Sequence, residues 1–228
     1  MSDPGTPAPD AAKDPEAAKA ARAAATEARR RAAVAEATFF DDPAAFRDWL
    51  EEHAERSKGL WIRFAKVGSG IEGGTYAQAL DEALCFGWID GAKFKDDDER
   101  FWLQRFTPRG PRSLWSQVNR ERVKQLITDK RVAPRGRREY QQAHEDGRLE
   151  AAYAPASTAT VPDDLAAALA AVPAAKAFFE ELDSRNRYAV LHRVQTAKLP
   201  ETRARRIATF VEMLAAGEQL HPRRPKAR

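Results

Sequence analysis

Apolar positions first take on a regular period at "DDPAAFRDWLEEHAER", where Phe46, Trp49, Leu50 and His53 recur at i, i+3, i+4 and i+7. That spacing is one face of a helix, and Asp42 ahead of Pro43 gives it a start; His53 reads as the wet edge of the stripe. In "GLWIRFAKV" the period changes to two, with Leu60, Ile62 and Phe64 on one side and Trp61 and Arg63 on the other, which predicts a strand. "GSGIEGG" follows and matches neither phosphate-loop spacing, so it reads as a plain flexible turn. The helical period returns in "TYAQALDEALCFG", with Tyr76, Leu80, Ala83 and Leu84 inward, a capping box from Thr75 and Gln78, and Gly87 as the stop.

"WIDGAKF" and "FWLQRFT" flank the polar run "KDDDER", which predicts a hairpin. A four-residue loop over Asp96 to Glu99 pairs Phe94 with Phe101, Ala92 with Leu103, Asp90 with Arg105 and Trp88 with Thr107. Asp90 then stands beside Trp88 on a buried face, where a carboxylate needs a partner, and Arg105 is the candidate. A slip of one residue would send the two side chains to opposite faces. "PRGPRSLWSQVN" places Arg109 and Arg112 in a turn and offers Ser113 as cap for the next helix, whose free backbone donors favour an anion. On that helix Trp115, Asn119, Val123 and Leu126 share a face, and Asn119 must hydrogen-bond either the hairpin or a ligand. Trp88, Asp90, Arg105, Arg109, Ser113, Trp115 and Asn119 therefore form the candidate ligand-binding set, with no catalytic or metal-ligating residue assigned.

Short helices punctuated by Pro162, Pro173, Asp183/Ser184 and Pro200 fill the C-terminal part, with core stripes at Leu165/Leu169, Phe178/Phe179/Leu182 and Ile207/Phe210/Leu214. In "KLPETRARRI" three arginines, Arg203, Arg205 and Arg206, crowd a helix N-terminus whose dipole disfavours them, so a negative group is expected nearby. The reading is an α+β protein: residues 1–38 a disordered or loosely helical alanine-rich tail, 39–150 helices with a small antiparallel sheet, 151–218 an all-helical part, and 219–228 a basic tail.

Charge sharpens this picture. The formal net charge is +4, yet residues 219–228 alone carry four basic residues and no acid. Residues 39–99 hold 7 basic and 14 acidic residues, whereas 100–140 hold 12 basic and 3 acidic, so an acidic half is expected to meet a basic half. Nucleic-acid binding is disfavoured, because the aromatics near the basic segment sit on core-like stripes. Cys85 is the only cysteine, which excludes an intrachain disulfide and suits a reducing cytoplasm. There is no apolar run of membrane length and no uninterrupted signal-peptide core. The acidic turn lacks calcium-loop spacing, the four histidines form no metal-spaced pair, and no cofactor is expected.

"TYAQALDEALCFGWIDG", "DDDERFWLQRFTPRGPRSLWSQVNRERV", "VPDDLAAALAAVPAAKAFFEEL" and "AKLPETRARRIATFVEML" together resemble the YdeI/OmpD-associated family of bacterial bacteriocin-protection proteins. The similarity runs from about Phe39 to Gly217. It implies an N-terminal α+β part with a small antiparallel sheet, a C-terminal helical part, and a link to bacteriocin tolerance or envelope stress; it supplies no reaction.

The function expected is a non-enzymatic protective protein that binds a small anionic ligand or an acidic peptide between the hairpin and the following helix. An enzyme with Asp90 as general base and Arg105 or Arg109 holding an anionic substrate is one alternative. It is weakened because pairing with arginine favours the charged carboxylate and makes it a poor base. A nucleic-acid-binding protein using residues 100–140 is the other.

Overall fold

Asp42 starts α2 (Pro43–His53) as its sequence requires: the carboxylate accepts from the Ala44 N–H at 2.8 Å, with Pro43 in the first turn. The computed structural model describes residues 15–222, which fall into two compact units that divide between Pro108 and Arg109. In the first unit α3 (Tyr76–Cys85) opens on the expected capping box of Thr75 and Gln78. Gly87, at φ 69°, carries the chain out of α3 in the left-handed region that glycine alone enters without strain.

Four strands form one sheet in the order β1 (Thr38–Phe39), β2 (Leu60–Ala65), β4 (Phe101–Pro108), β3 (Trp88–Lys95). The sheet is mixed: β2, β4 and β3 are antiparallel, while the two-residue β1 runs parallel to β2. Ile62 and Phe64 are buried on one side of β2 as the alternation predicts. Phe106 joins them, with Phe46 of α2 at 5.7 Å and Tyr76 of α3 at 6.4 Å between ring centres. Each such aromatic stabilises the unit by about 1.5 to 3 kcal/mol through area removed from water.

The expected loose N-terminal tail divides in two. Residues 1–14 lie outside the described residues, while residues 15–36 form one continuous helix, α1 (Pro15–Glu36). Its last turns are docked: Ala33 is fully buried, and Arg30 donates to Asp97 at 2.6 Å and pairs with Glu27. A small side chain permits close approach, and an ion pair replaces the large apolar residues that the sequence lacks there.

The second unit begins at Arg109. Helices α4 (Gln117–Thr128) and α5 (Pro134–Glu145) belong with the C-terminal helices. Tyr153 bonds Trp115 and Gln117 through the backbone, and the Tyr188 hydroxyl donates to Ala154 O at 3.0 Å. Beyond them α6 (Asp163–Ala170), α7 (Pro173–Glu181), α8 (Ser184–Gln195) and α9 (Pro200–Ala215) enclose a core of Leu165, Leu169, Phe179, Val190, Val194 and Leu214. Asn186, almost wholly buried, clips the segment after α9 by exchanging two hydrogen bonds with the His221 backbone. The last six residues of the expected basic tail, 223–228, lie outside the described residues.

Among the three arginines at the start of α9, Arg203 finds the negative partner that the dipole argument demands. Arg203 pairs with Asp164 at 2.5 Å and also donates to Val194 O at 2.9 Å, while Arg206 donates to Arg193 O. Both guanidiniums thus serve the C-terminal carbonyls of α8, the negative end of another helix dipole.

Candidate functional site

The hairpin register decides which residues of the candidate set can meet. Asp90 pairs with Phe106, Ile89 with Thr107 and Trp88 with Pro108, one residue away from the expected register. The ladder then shifts again, so that Lys93 pairs with Gln104 and Lys95 with Trp102. A bulge at Gly91 and Ala92 absorbs the extra residue, and the buried Gln104 side chain donates to both freed carbonyls, at 2.9 and 3.3 Å. The loop is also longer than four residues, because Asp98 folds back to accept from the Arg100 N–H at 2.9 Å. The Arg100 side chain reinforces that bond and holds the Asp98 carboxyl at about 2.

Asp90 and Arg105 consequently leave opposite faces of the sheet. Asp90 shares the face of Phe106 and accepts from the Tyr76 hydroxyl at 3.0 Å. Arg105 lies on the other face, paired with Trp61 and stacked 5.6 Å over its ring. Trp88 is fully buried, edge-on to Trp49 at 5.8 Å, and acts as a core plug rather than a site wall.

Arg109, Ser113, Trp115 and Asn119 belong to the second unit. Arg109 is 7% exposed, lies 3.8 Å over the Trp115 ring and donates to Leu114 O at 3.0 Å. Trp115 is itself buried against Tyr140. The helix cap is Ser116, which accepts from the Asn119 N–H at 3.1 Å; Ser113 instead closes the preceding turn by accepting from Gly110 N–H at 2.9 Å. Arg109 and Trp115 therefore form an internal stack, and the expected cap residue is displaced by three positions.

A cleft of about 930 Å³ opens elsewhere in the first unit, under the "GSGIEGG" segment. Phe64, Tyr76 and Trp102 supply its aromatic wall, and Phe64 stacks on Trp102 at 5.0 Å with the ring planes 29° apart. Lys66, Lys93 and Lys95 stand on its rim against a single carboxylate, Glu72. The exposed Lys93 ammonium sits 3.7 Å over the Trp102 ring, and Lys66 reaches Glu99 O at 2.6 Å. Gly68 and Gly70 expose backbone along the loop, with nothing within 4 Å of where a β-carbon would stand. A volume of this size accepts a drug-sized molecule, and a lysine rim over an apolar floor favours an acid with an apolar body.

The bulge is what brings this rim together. Lys93 and Lys95 would alternate away from Asp90 in an unbroken strand, but the extra residue returns them to the face of Trp102 and Asp90. Asp90 thus reaches the cleft indirectly, through Tyr76. The glycine density of "GSGIEGG" and the alternation in "KFK" were the available signals for this site, and neither identified it without the register.

Among the described residues, no three His, Cys, Asp or Glu side chains group as metal ligands. No helix among them is long and apolar enough to cross a membrane.

Two separate family models match the chain. Residues 158–217 match the family described as Bacteriocin-protection, YdeI or OmpD-Associated. Residues 38–139 match a domain of unknown function, DUF8412. The YdeI/OmpD-associated resemblance thus holds for the C-terminal helices and points to a role of the bacteriocin-protection type. The part carrying the sheet has its own match. No curated protein and no solved structure matches the chain significantly.

Proposed function

We propose that this is a non-enzymatic protective protein of the bacteriocin-protection type, and that its first unit binds a small anionic ligand or a short acidic peptide in the cleft under the glycine-rich loop. The observation that carries the reading is the rim: three lysines against one glutamate, around a wall of Phe64, Tyr76 and Trp102. The C-terminal match supports the protective role. Stress response in the cytoplasm is part of the same proposal, supported by a single, fully buried cysteine.

Ligand selection here rests on charge, since exposed lysines attract an acid while the aromatic wall removes its apolar body from water. The test compares the wild-type chain with a Lys66→Glu/Lys93→Glu/Lys95→Glu variant. Small carboxylates and phosphates should raise the wild-type melting temperature and leave the variant unmoved, and cells carrying the variant should lose bacteriocin tolerance. Full tolerance from a folded variant would overturn the reading.

A further inference from the structure

The contact between Lys93 and Trp102 narrows the ligand class. Phe64 is buried and backs the Trp102 ring from the core, whereas Lys93 is exposed and lies over it from the solvent side. The face covered by the ammonium is therefore the one that a ligand can reach. An exposed ammonium on a half-buried ring is held weakly and moves at small cost. A flat ring laid in its place would extend the existing Phe64–Trp102 stack and leave the displaced ammonium at the edge of the ligand.

We propose that the cleft takes a planar aromatic acid, its ring on Trp102 and its acid group on Lys93 and Lys95. The proposal rests on the anion-binding reading of the cleft and adds the ring. Four features converge on it. Trp102 and Tyr76 offer aromatic surface, and Lys93 and Lys95 leave the same face of β3, next to that surface. The bare backbone at Gly68 and Gly70 presents no side chain to obstruct a flat body. Glu72 is the only rim carboxylate, so it favours a cationic substituent less than the three lysines favour an anionic one. An aliphatic acid would satisfy the lysines but gain no stacking, and a neutral aromatic would stack but leave Lys93 without a counter-charge.

The experiment titrates the full chain by calorimetry with three probes: 2-naphthoate, its neutral amide 2-naphthamide, and octanoate. Naphthoate should bind at least about tenfold more tightly than either of the others, as expected when a stack and a charge-assisted contact act together. Lys93→Ala, a change at an exposed position, should weaken naphthoate about tenfold, and Lys93→Arg should restore most of the loss. Octanoate binding as tightly as naphthoate would overturn the aromatic class while leaving an anion cleft. Equal binding of the amide would overturn the role of charge, and with it the anion reading itself. Binding of none of the three would overturn the aromatic-acid assignment, with small phosphates and acidic peptides then deciding the broader reading. Unchanged naphthoate affinity in Lys93→Ala would overturn the assignment of Lys93.

Discussion

The Tyr76 hydroxyl donates to Asp90 Oδ2 across 3.0 Å and so ties the first turn of α3 to the base of β3. The bond satisfies a half-buried carboxylate and holds the Tyr76 ring as part of the cleft wall. Tyr76→Phe keeps the ring and removes the donor. It should destabilise the chain by about 1 to 2 kcal/mol, the usual cost of leaving a partly buried acceptor unmade. Urea unfolding measures this, and a loss below a few tenths would mean that water replaces the tyrosine without cost. Asp90→Asn, which can still accept from Tyr76, should lose less than Tyr76→Phe.

Docking of α1 rests on a small area around Ala33 and on Arg30 with Asp97. Ala33→Glu forces a carboxylate into that contact, which the helix avoids most cheaply by lifting away. Trypsin cleavage after Arg29, Arg30 and Arg31 should then accelerate at least about tenfold, since each tenfold corresponds to about 1.4 kcal/mol of opening free energy. Unchanged cleavage would show that Ala33 is not what holds the helix.

Legibility in the sequence followed the reach of each interaction. The caps at Asp42 and Thr75, the inward face of Ile62 and Phe64, and the C-terminal core stripes depend on neighbours a few residues away, and each was readable. The hairpin register depends on where a bulge falls, and a bulge is set by Gln104 reaching the Gly91 and Ala92 carbonyls across the sheet. No local pattern announces that contact, so Asp90 and Arg105 were expected to meet and instead diverge. The lysine-rimmed cleft was invisible for the same reason, because it exists only once that bulge returns Lys93 and Lys95 to the Trp102 face. In α1, alanine-rich composition argued against any docking surface, yet one buried alanine and one arginine hold its last turns.

Arg148 is an enclosed ion-pairing side chain of the second unit, reaching Glu139 at 2.7 Å and Asp146 at 2.8 Å with its side chain 5% exposed. Arg148→Met fills much of the same space but leaves two carboxylates facing each other. The expected loss is about 2 to 3 kcal/mol, below the range for a fully buried pair because Asp146 keeps access to water. Equilibrium denaturation provides the measurement. A second change, Glu139→Gln, should recover part of the loss in the Arg148→Met background by removing one of the two charges; no recovery would show that the variant fails through packing alone.

The Arg203 contacts separate a pH-dependent part from a pH-independent one. Its guanidinium bond to Asp164 holds that carboxyl below the ordinary carboxylate range, whereas its bond to Val194 O does not titrate. A carboxyl whose folded value is depressed contributes stability that is present above its unfolded value, about 3.9, and is lost as pH falls through the lower folded value. Asp164 is nearly half exposed, so its share is on the surface scale, about 0.5 to 1 kcal/mol. Asp164→Asn should therefore destabilise the chain at pH 7 by about that amount, and the difference from wild type should shrink toward zero below about pH 4. Arg203→Met should cost more at neutral pH and retain a residual loss in acid, because α8 has also lost a donor to its C-terminal carbonyls. Urea midpoints between pH 2.5 and pH 7 measure both variants, and an Asp164→Asn curve that stays parallel to wild type across that range would show that the Asp164 pair makes no pH-dependent contribution to folding.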